Sequence, residues 1–129
     1  MILVDTSVIV AWLDSSHPQH AVCLRALTHH AGQGELAVSS VTYAELAAGG
    51  RTREAIDDDL QNFQRLELSF DAAFRAGVAF GRYRPGGQEQ TPVLPDFLIR
   101  GQAAVLNVPH LTNDRRRLKV FPDVDFIFP

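Results

Sequence analysis

An unbroken apolar run that stops at a carboxylate opens the chain: Ile2, Leu3 and Val4, then Asp5. Three consecutive apolar residues without polar alternation suit a strand buried on both faces, the habit of parallel sheets covered by helices. Thr6 and Ser7 follow, and the apolar pattern resumes at Val8, Ile9, Val10, Trp12 and Leu13 with helical spacing. A buried strand, a tight turn and a helix in immediate succession commit the chain to a layered α/β architecture. Asp5 falls at the carboxyl end of its strand, where open parallel sheets place their ligand crevices. It is equally well placed to cap the helix by accepting a backbone N–H. Both readings stand on this stretch alone, and acids in comparable places elsewhere would decide between them.

The same alternation continues. Short strands are expected at residues 36–38, 66–68, 110–112 and, along an edge, 124–128. Between them, helical patterns run from Pro18 to His30, from Val41 to Ala48, from Thr52 to Leu66, onward from Ser69, and from Asp96 to about Asn107. Strands separated by helices predict an α/β/α sandwich: a mainly parallel central sheet of about five short strands, flanked by helices and joined by right-handed crossovers. In the helix after Ser69, Phe70, Phe74 and Val78 repeat at i, i+4 and i+8, which predicts a core-facing stripe. Ala73, Gly77 and Gly81 beside them leave room for a close helix contact, such as one across a dimer. Tyr83 to Pro95 is the one long irregular stretch. Pro92 and Pro95 are expected to keep it extended, and long loops in compact domains are often functional.

With 129 residues, the chain is the size of one domain, residues 1–129, with a real core. A formal net charge of -3 supplies no overall basic field for nucleic acid, which counts against a simple DNA-binding module. It leaves room for a nucleic-acid enzyme whose positive charge comes from bound metal. The single cysteine, Cys23, fits a reducing compartment and reads as a small buried hydrophobe. No stretch approaches the ~20 apolar residues that span a bilayer, so the expected location is the cytoplasm. His17, His20, His29 and His30 lack any ligand spacing and read as solvated helix positions, as do Asp57, Asp58 and Asp59.

Four acids share a context. Asp5 and Asp114 each follow a short apolar strand, Asp96 opens a helix after a proline, and Glu45 is the one charge in an otherwise apolar helix, on a wedge with Thr42 and Gly49. Strand ends and following helix starts of a parallel sheet converge on one edge. Four carboxylates meeting there would repel and raise some of their pKa values unless a cation intervened. Oxygen-rich clusters of this kind suit Mg²⁺ or Mn²⁺ acting on a phosphate substrate. Arg115, Arg116, Arg117 and Lys119 either hold flanking phosphates or form a solvated basic turn. Asp96 and Arg100, four residues apart on one helix, would pair weakly if exposed.

Val4-Asp-Thr-Ser7, Thr42-x-x-Glu45, Pro95-Asp-Phe-Leu-Ile99 and Leu111-Thr-Asn-Asp-Arg115 stand in an order and spacing that resembles the four acidic motifs of PIN domains. The resemblance covers nearly the whole chain, and its order and length are most similar to bacterial VapC-type toxins. It implies a Mg²⁺-dependent endoribonuclease of a type II toxin–antitoxin system, usually a homodimer, inhibited by a VapB-type antitoxin. It also implies that Asp5, Glu45, Asp96 and Asp114 are the active-site acids. Asp5 and Asp96 would be metal ligands, and Asp114 a ligand directly or through water. Thr6, Ser7 and Thr112 would supply hydroxyls that orient the carboxylates. The products would carry 5′-phosphate and 3′-hydroxyl ends.

Two departures from the family pattern bear on substrate choice and partner geometry: the long 85–95 loop, and Arg100-Gly101 where a small apolar pair is usual. Two other functions compete. A PIN-like module that binds RNA or protein without cutting would gain nothing from clustered carboxylates facing a polyanion. A phosphatase with an aspartyl nucleophile would want a second acid two residues after Asp5, where this chain has Ser7.

Overall fold

The computed structural model describes residues 1–83 and 94–129. Its strands are β1 Ile2–Val4, β2 Leu36–Ser39, β3 Gln64–Leu66, β4 His110–Leu111 and β5 Phe126–Ile127, all parallel, in the order β3-β2-β1-β4-β5. The helices among the described residues are α1 Thr6–Leu13, α2 His20–Ala31, α3 Ser40–Ala48, α4 Arg53–Asp59, α5 Phe70–Arg82 and α6 Leu94–Leu106. From β1 the chain builds outward through β2 to β3, then returns to lay β4 against the other side of β1. That reversal leaves a crevice between the carboxyl ends of β1 and β4, where doubly wound sheets bind ligands.

Period-two alternation divides the core into layers. Val4, Leu36, Val38 and Leu111 face Val8, Ile9 and Ala11 of α1, with Cys23, Leu27, Ile56 and Leu60 behind them. Leu3 and Ala37 face the other way, onto Ile99 and Ala103 of α6. Beyond α6, a third cluster joins Ala76 and Ala79 of α5 to Phe97 and Phe121. Each Leu, Ile or Phe so buried contributes roughly 1.5–3 kcal/mol.

Several boundaries differ from the sequence expectation. The helix expected over 52–66 ends at Asp59, its last turn closed by the Leu60 N–H on the Ile56 carbonyl (3.0 Å). The third strand accordingly comes earlier, pairing Gln64, Arg65 and Leu66 with Ala37, Val38 and Ser39. Asp57 and Asp59 are surface residues, as expected, paired with Arg65 and Arg51. Pro95 lies inside the first turn of α6 and does not keep the chain extended; a first-turn proline gives up no intrahelical bond. The rest of the expected irregular stretch, residues 84–93, lies outside the described residues.

The largest correction concerns α5. Phe70 is 95% exposed and Phe74 75%, so they are no part of the core. Ala72, Ala76 and Ala79 are the buried stripe. The reason is on α6: a Cβ on Gly101 would stand 2.8 Å from both the Ala72 carbonyl oxygen and the Ala76 Cβ. At Gly101 the helices are too close for a phenylalanine to stand between them. The close helix contact falls to Ala72, Ala76 and Gly101, not to the expected Ala73, Gly77 and Gly81; a Cβ on Gly77 would meet nothing within 4 Å.

Candidate active site

Asp5 ends β1 and caps α1 at once. Its Oδ2 accepts from Ser7 Oγ (2.6 Å), Ser7 N (3.3 Å) and Thr112 Oγ1 (3.0 Å), while its own N–H donates to Leu111 O (2.8 Å). The two readings of this residue are thus compatible: one oxygen is spent on the cap and on β4, and Oδ1 remains. Burial pushes the Asp5 carboxyl up, but the neighbouring His110 imidazole and the hydrogen bonds from Ser7 and Thr112 outweigh it and lower the pKa to about 2.

His110 is fully buried on β4 and was not expected at the site. Its Nδ1 lies 3.0 Å from Leu3 O, and a carbonyl only accepts, so Nδ1 carries the proton. Nε2 lies 3.6 Å from Asp5 Oδ1, beyond hydrogen-bond distance, and has no hydrogen-bond partner among the described residues. The signal was present in the strand period: His110 stands two residues before Thr112, on the same face of the sheet.

Glu45 reaches the same edge from α3. Thr6 Oγ1 donates to Glu45 Oε1 (2.7 Å), and Thr42 Oγ1 lies 2.9 Å from Thr6 Oγ1, so the relay runs Thr42 to Thr6 to Glu45. Thr42 was recognised as sharing the Glu45 wedge but not as part of its support. Burial raises the Glu45 pKa; the Thr6 hydrogen bond opposes this, and the charges of Asp96 and Asp5 add to it.

Asp96 lies in the first turn of α6. Burial raises its pKa, the charges of Asp5 and Asp114 raise it further, and Arg100 and Arg116 pull it down. Asp5 thus bears on both Glu45 and Asp96, and Asp114 on Asp96. Arg100, one turn on, is 3% exposed and turns away from Asp96 to the segment after β4. Its Nη1 donates to Arg116 O (2.8 Å) and Arg117 O (3.4 Å), and its Nη2 to Asp114 O (3.2 Å), with Asp114 Oδ2 3.6 Å away. Those bonds draw the backbone carbonyls inward, and Arg117 takes the left-handed conformation (φ 58°) that residues with a Cβ rarely adopt.

Asp114 is held from both sides. Thr112 Oγ1 accepts its N–H (3.0 Å), and the Arg116 fork closes on its carboxylate, Nε to Oδ1 (2.9 Å) and Nη2 to Oδ2 (3.2 Å). Burial raises the Asp114 pKa, but Arg116 and then Arg100 bring it below the ordinary value. Among the described residues no three His, Cys, Asp or Glu side chains stand close enough to grip an ion without rearrangement. The four acids offer oxygen donors, the kind a hard cation takes, and burial together with neighbouring carboxylates makes ionisation of Glu45 and Asp96 costly without one.

Solved structures with this architecture include VapBC2 from Rickettsia felis bound to a DNA fragment from its promoter: 21% identity, TM-score 0.73, covering 99% of this chain and 98% of that one. VapBC-1 from nontypeable Haemophilus influenzae matches with 21% identity, TM-score 0.72 and the same coverage. VapC20 from Mycobacterium tuberculosis, a sarcin-ricin-loop-cleaving toxin, matches with 17% identity, TM-score 0.62, covering 85% of this chain and 87% of that one. No curated protein sequence matches the chain. The PIN domain family model matches residues 2–127, almost the entire length, and the chain belongs to the PIN domain family.

Proposed function

We propose that this protein is a VapC-type toxin: a metal-dependent endoribonuclease, neutralised by a VapB-type antitoxin. The observation that carries the reading is the linkage of the acids by short contacts: Thr112 bonds Asp5 from beyond β4, Thr6 beside Asp5 bonds Glu45, and Arg100, one turn after Asp96, lies 3.6 Å from Asp114. The architecture shared with toxin–antitoxin complexes supports it. Asp5, Asp96 and Asp114 would hold Mg²⁺, with Mn²⁺ as substitute, and the bound cation supplies positive charge against that developing on the phosphate. Asp5 is held ionised by Ser7 and Thr112. Glu45, with its pKa raised, is suited to take a proton from the attacking water. In-line attack then forms the new P–O bond, breaks the P–O3′ bond, and leaves a 5′-phosphate and a 3′-hydroxyl.

The partner would approach through a cavity of about 460 Å³ lined by Val10, Leu13, Leu46, Gly49 and Arg51, which opens beside Glu45 between α1 and α3. An antitoxin tail that buries apolar residues here and directs an arginine at the carboxylates would displace both cation and RNA. The exposed Phe70 and Phe74 give the outer face of α5 an apolar surface for a second copy of the chain.

The test is cleavage of structured RNAs in Mg²⁺ or Mn²⁺, with chelator controls. Asp5→Asn and Asp96→Asn should each abolish it while the protein stays folded. Metal-dependent cleavage that survives in both variants would refute the assignment, and binding without cleavage by the wild type would favour the non-cutting module.

A further inference from the structure

Four of the 12 Lys and Arg residues fall within five positions, Arg115, Arg116, Arg117 and Lys119, in a chain whose net charge is negative. Together with Tyr83 they line a cavity of about 800 Å³ immediately beyond Asp114. The turn that carries them is built to face outward. Arg100 pulls the carbonyls of residues 114, 116 and 117 toward the protein, leaving the side chains of Arg115, Arg116 and Lys119 exposed. Arg117 lies over the Tyr83 ring (5.5 Å) and Arg115 over the Phe128 ring (4.0 Å), so two planar groups flank the cationic floor. Phosphates beside stackable rings are what single-stranded nucleic acid presents. The volume falls in the range of small-ligand sites.

Arg116 joins this cavity to the acid cluster. Its fork engages both oxygens of Asp114, so the guanidinium competes with any cation for that carboxylate while the pair persists. Half of the Arg116 side chain is exposed, and ion pairs with one solvated partner are weak. A phosphate offers the same bidentate geometry as a carboxylate.

We propose that this cavity is a phosphate subsite for the RNA strand beside the scissile bond, and that Arg116 exchanges Asp114 for an incoming phosphate, releasing Asp114 to the cation. RNA binding thereby completes the metal site. This rests on the endoribonuclease reading and adds a specific order to it: substrate first, full metal complement second.

The test has two parts, both without turnover. Affinity for a short fluorescent single-stranded RNA is measured in EDTA across a salt series, for wild type, Arg115→Ala and Lys119→Ala. Each variant should bind about three- to tenfold more weakly, with the salt slope reduced by about one. Mn²⁺ affinity is then measured without RNA by electron paramagnetic resonance. Arg116→Ala should bind Mn²⁺ several-fold more tightly than wild type, and Arg116→Lys, which keeps the charge but lacks the fork, should fall between. Unchanged RNA affinity in both cavity variants overturns the subsite, as does displacement of RNA by poly-glutamate of equal charge, which would make this a surface for acidic protein. Unchanged or weaker Mn²⁺ binding in Arg116→Ala overturns the exchange. Wild-type protein that cleaves RNA while the variants bind like wild type loses this proposal alone; wild type that neither binds nor cleaves loses the nuclease reading as well.

Discussion

Gly101 of α6 and Ala76 of α5 approach so closely that a Cβ on the glycine would lie 2.8 Å from the alanine Cβ and 3.0 Å from the Ala76 nitrogen. The obstacle includes backbone, which cannot rotate aside. Gly101→Ala is therefore expected to force the helices apart and cost about 1–3 kcal/mol. Gly77 faces open space on the outer side of α5, so Gly77→Ala should be neutral or stabilise by up to about 1 kcal/mol. Urea denaturation of both variants checks the pair, and equal effects would contradict the packing described.

Phe70→Ser and Phe74→Ser should change stability by less than about 0.5 kcal/mol each, as solvated positions do. A core stripe would lose several times more. Melts at low protein concentration separate the two.

The acid cluster sets opposite trends with pH. Asp5, whose folded pKa of about 2 lies below its ordinary 3.8, contributes stability above that ordinary value. The contribution, about 2 kcal/mol, is lost as pH falls through the folded pKa. Glu45 and Asp96 are raised, so they cost stability when ionised, and protonating them on the way down from neutrality relieves that cost. Metal-free protein should be most stable in mildly acid solution. Saturating Mn²⁺, worth about 2.7 kcal/mol at a hundredfold excess over Kd, should move the maximum toward neutrality. Asp5→Asn should flatten the acid limb and abolish the Mn²⁺ response. Thermal melts from about pH 2 to 8 would show it, and a wild type as stable at the acid end as at its maximum would contradict the account.

Arg100→Met should destabilise by about 2–4 kcal/mol, because it strands three carbonyl acceptors and leaves Asp114 with one cation fewer. Arg100→Lys, with no fork, should recover only part. Hydrogen exchange at residues 114–117 should rise in the same order.

The sheet was legible because it depends on local pattern, buried runs followed by caps, and the same pattern singled out Asp5, Asp96 and Asp114 as candidates. Glu45 stood out as the single charge of an apolar helix. What escaped depends on distance between elements. Phe70 and Phe74 carry a helical stripe, yet only the proximity of α6 at Gly101 decides that alanine takes the inner face. His110 looked like a strand residue until β1 lay beside β4. Arg100 was visible as a departure from its family, but its role requires knowing that the segment after β4 folds back over α6.

Asp5 and Thr112 are neighbours in space and 107 residues apart in sequence. One end of the chain supplies the carboxylate and the other the hydroxyl that fixes it, and only the pairing of β1 with β4 brings them together. A cut anywhere between the two that lets the pieces part leaves Asp5 without that bond, so the order of this one side chain reports whether the two strands are joined.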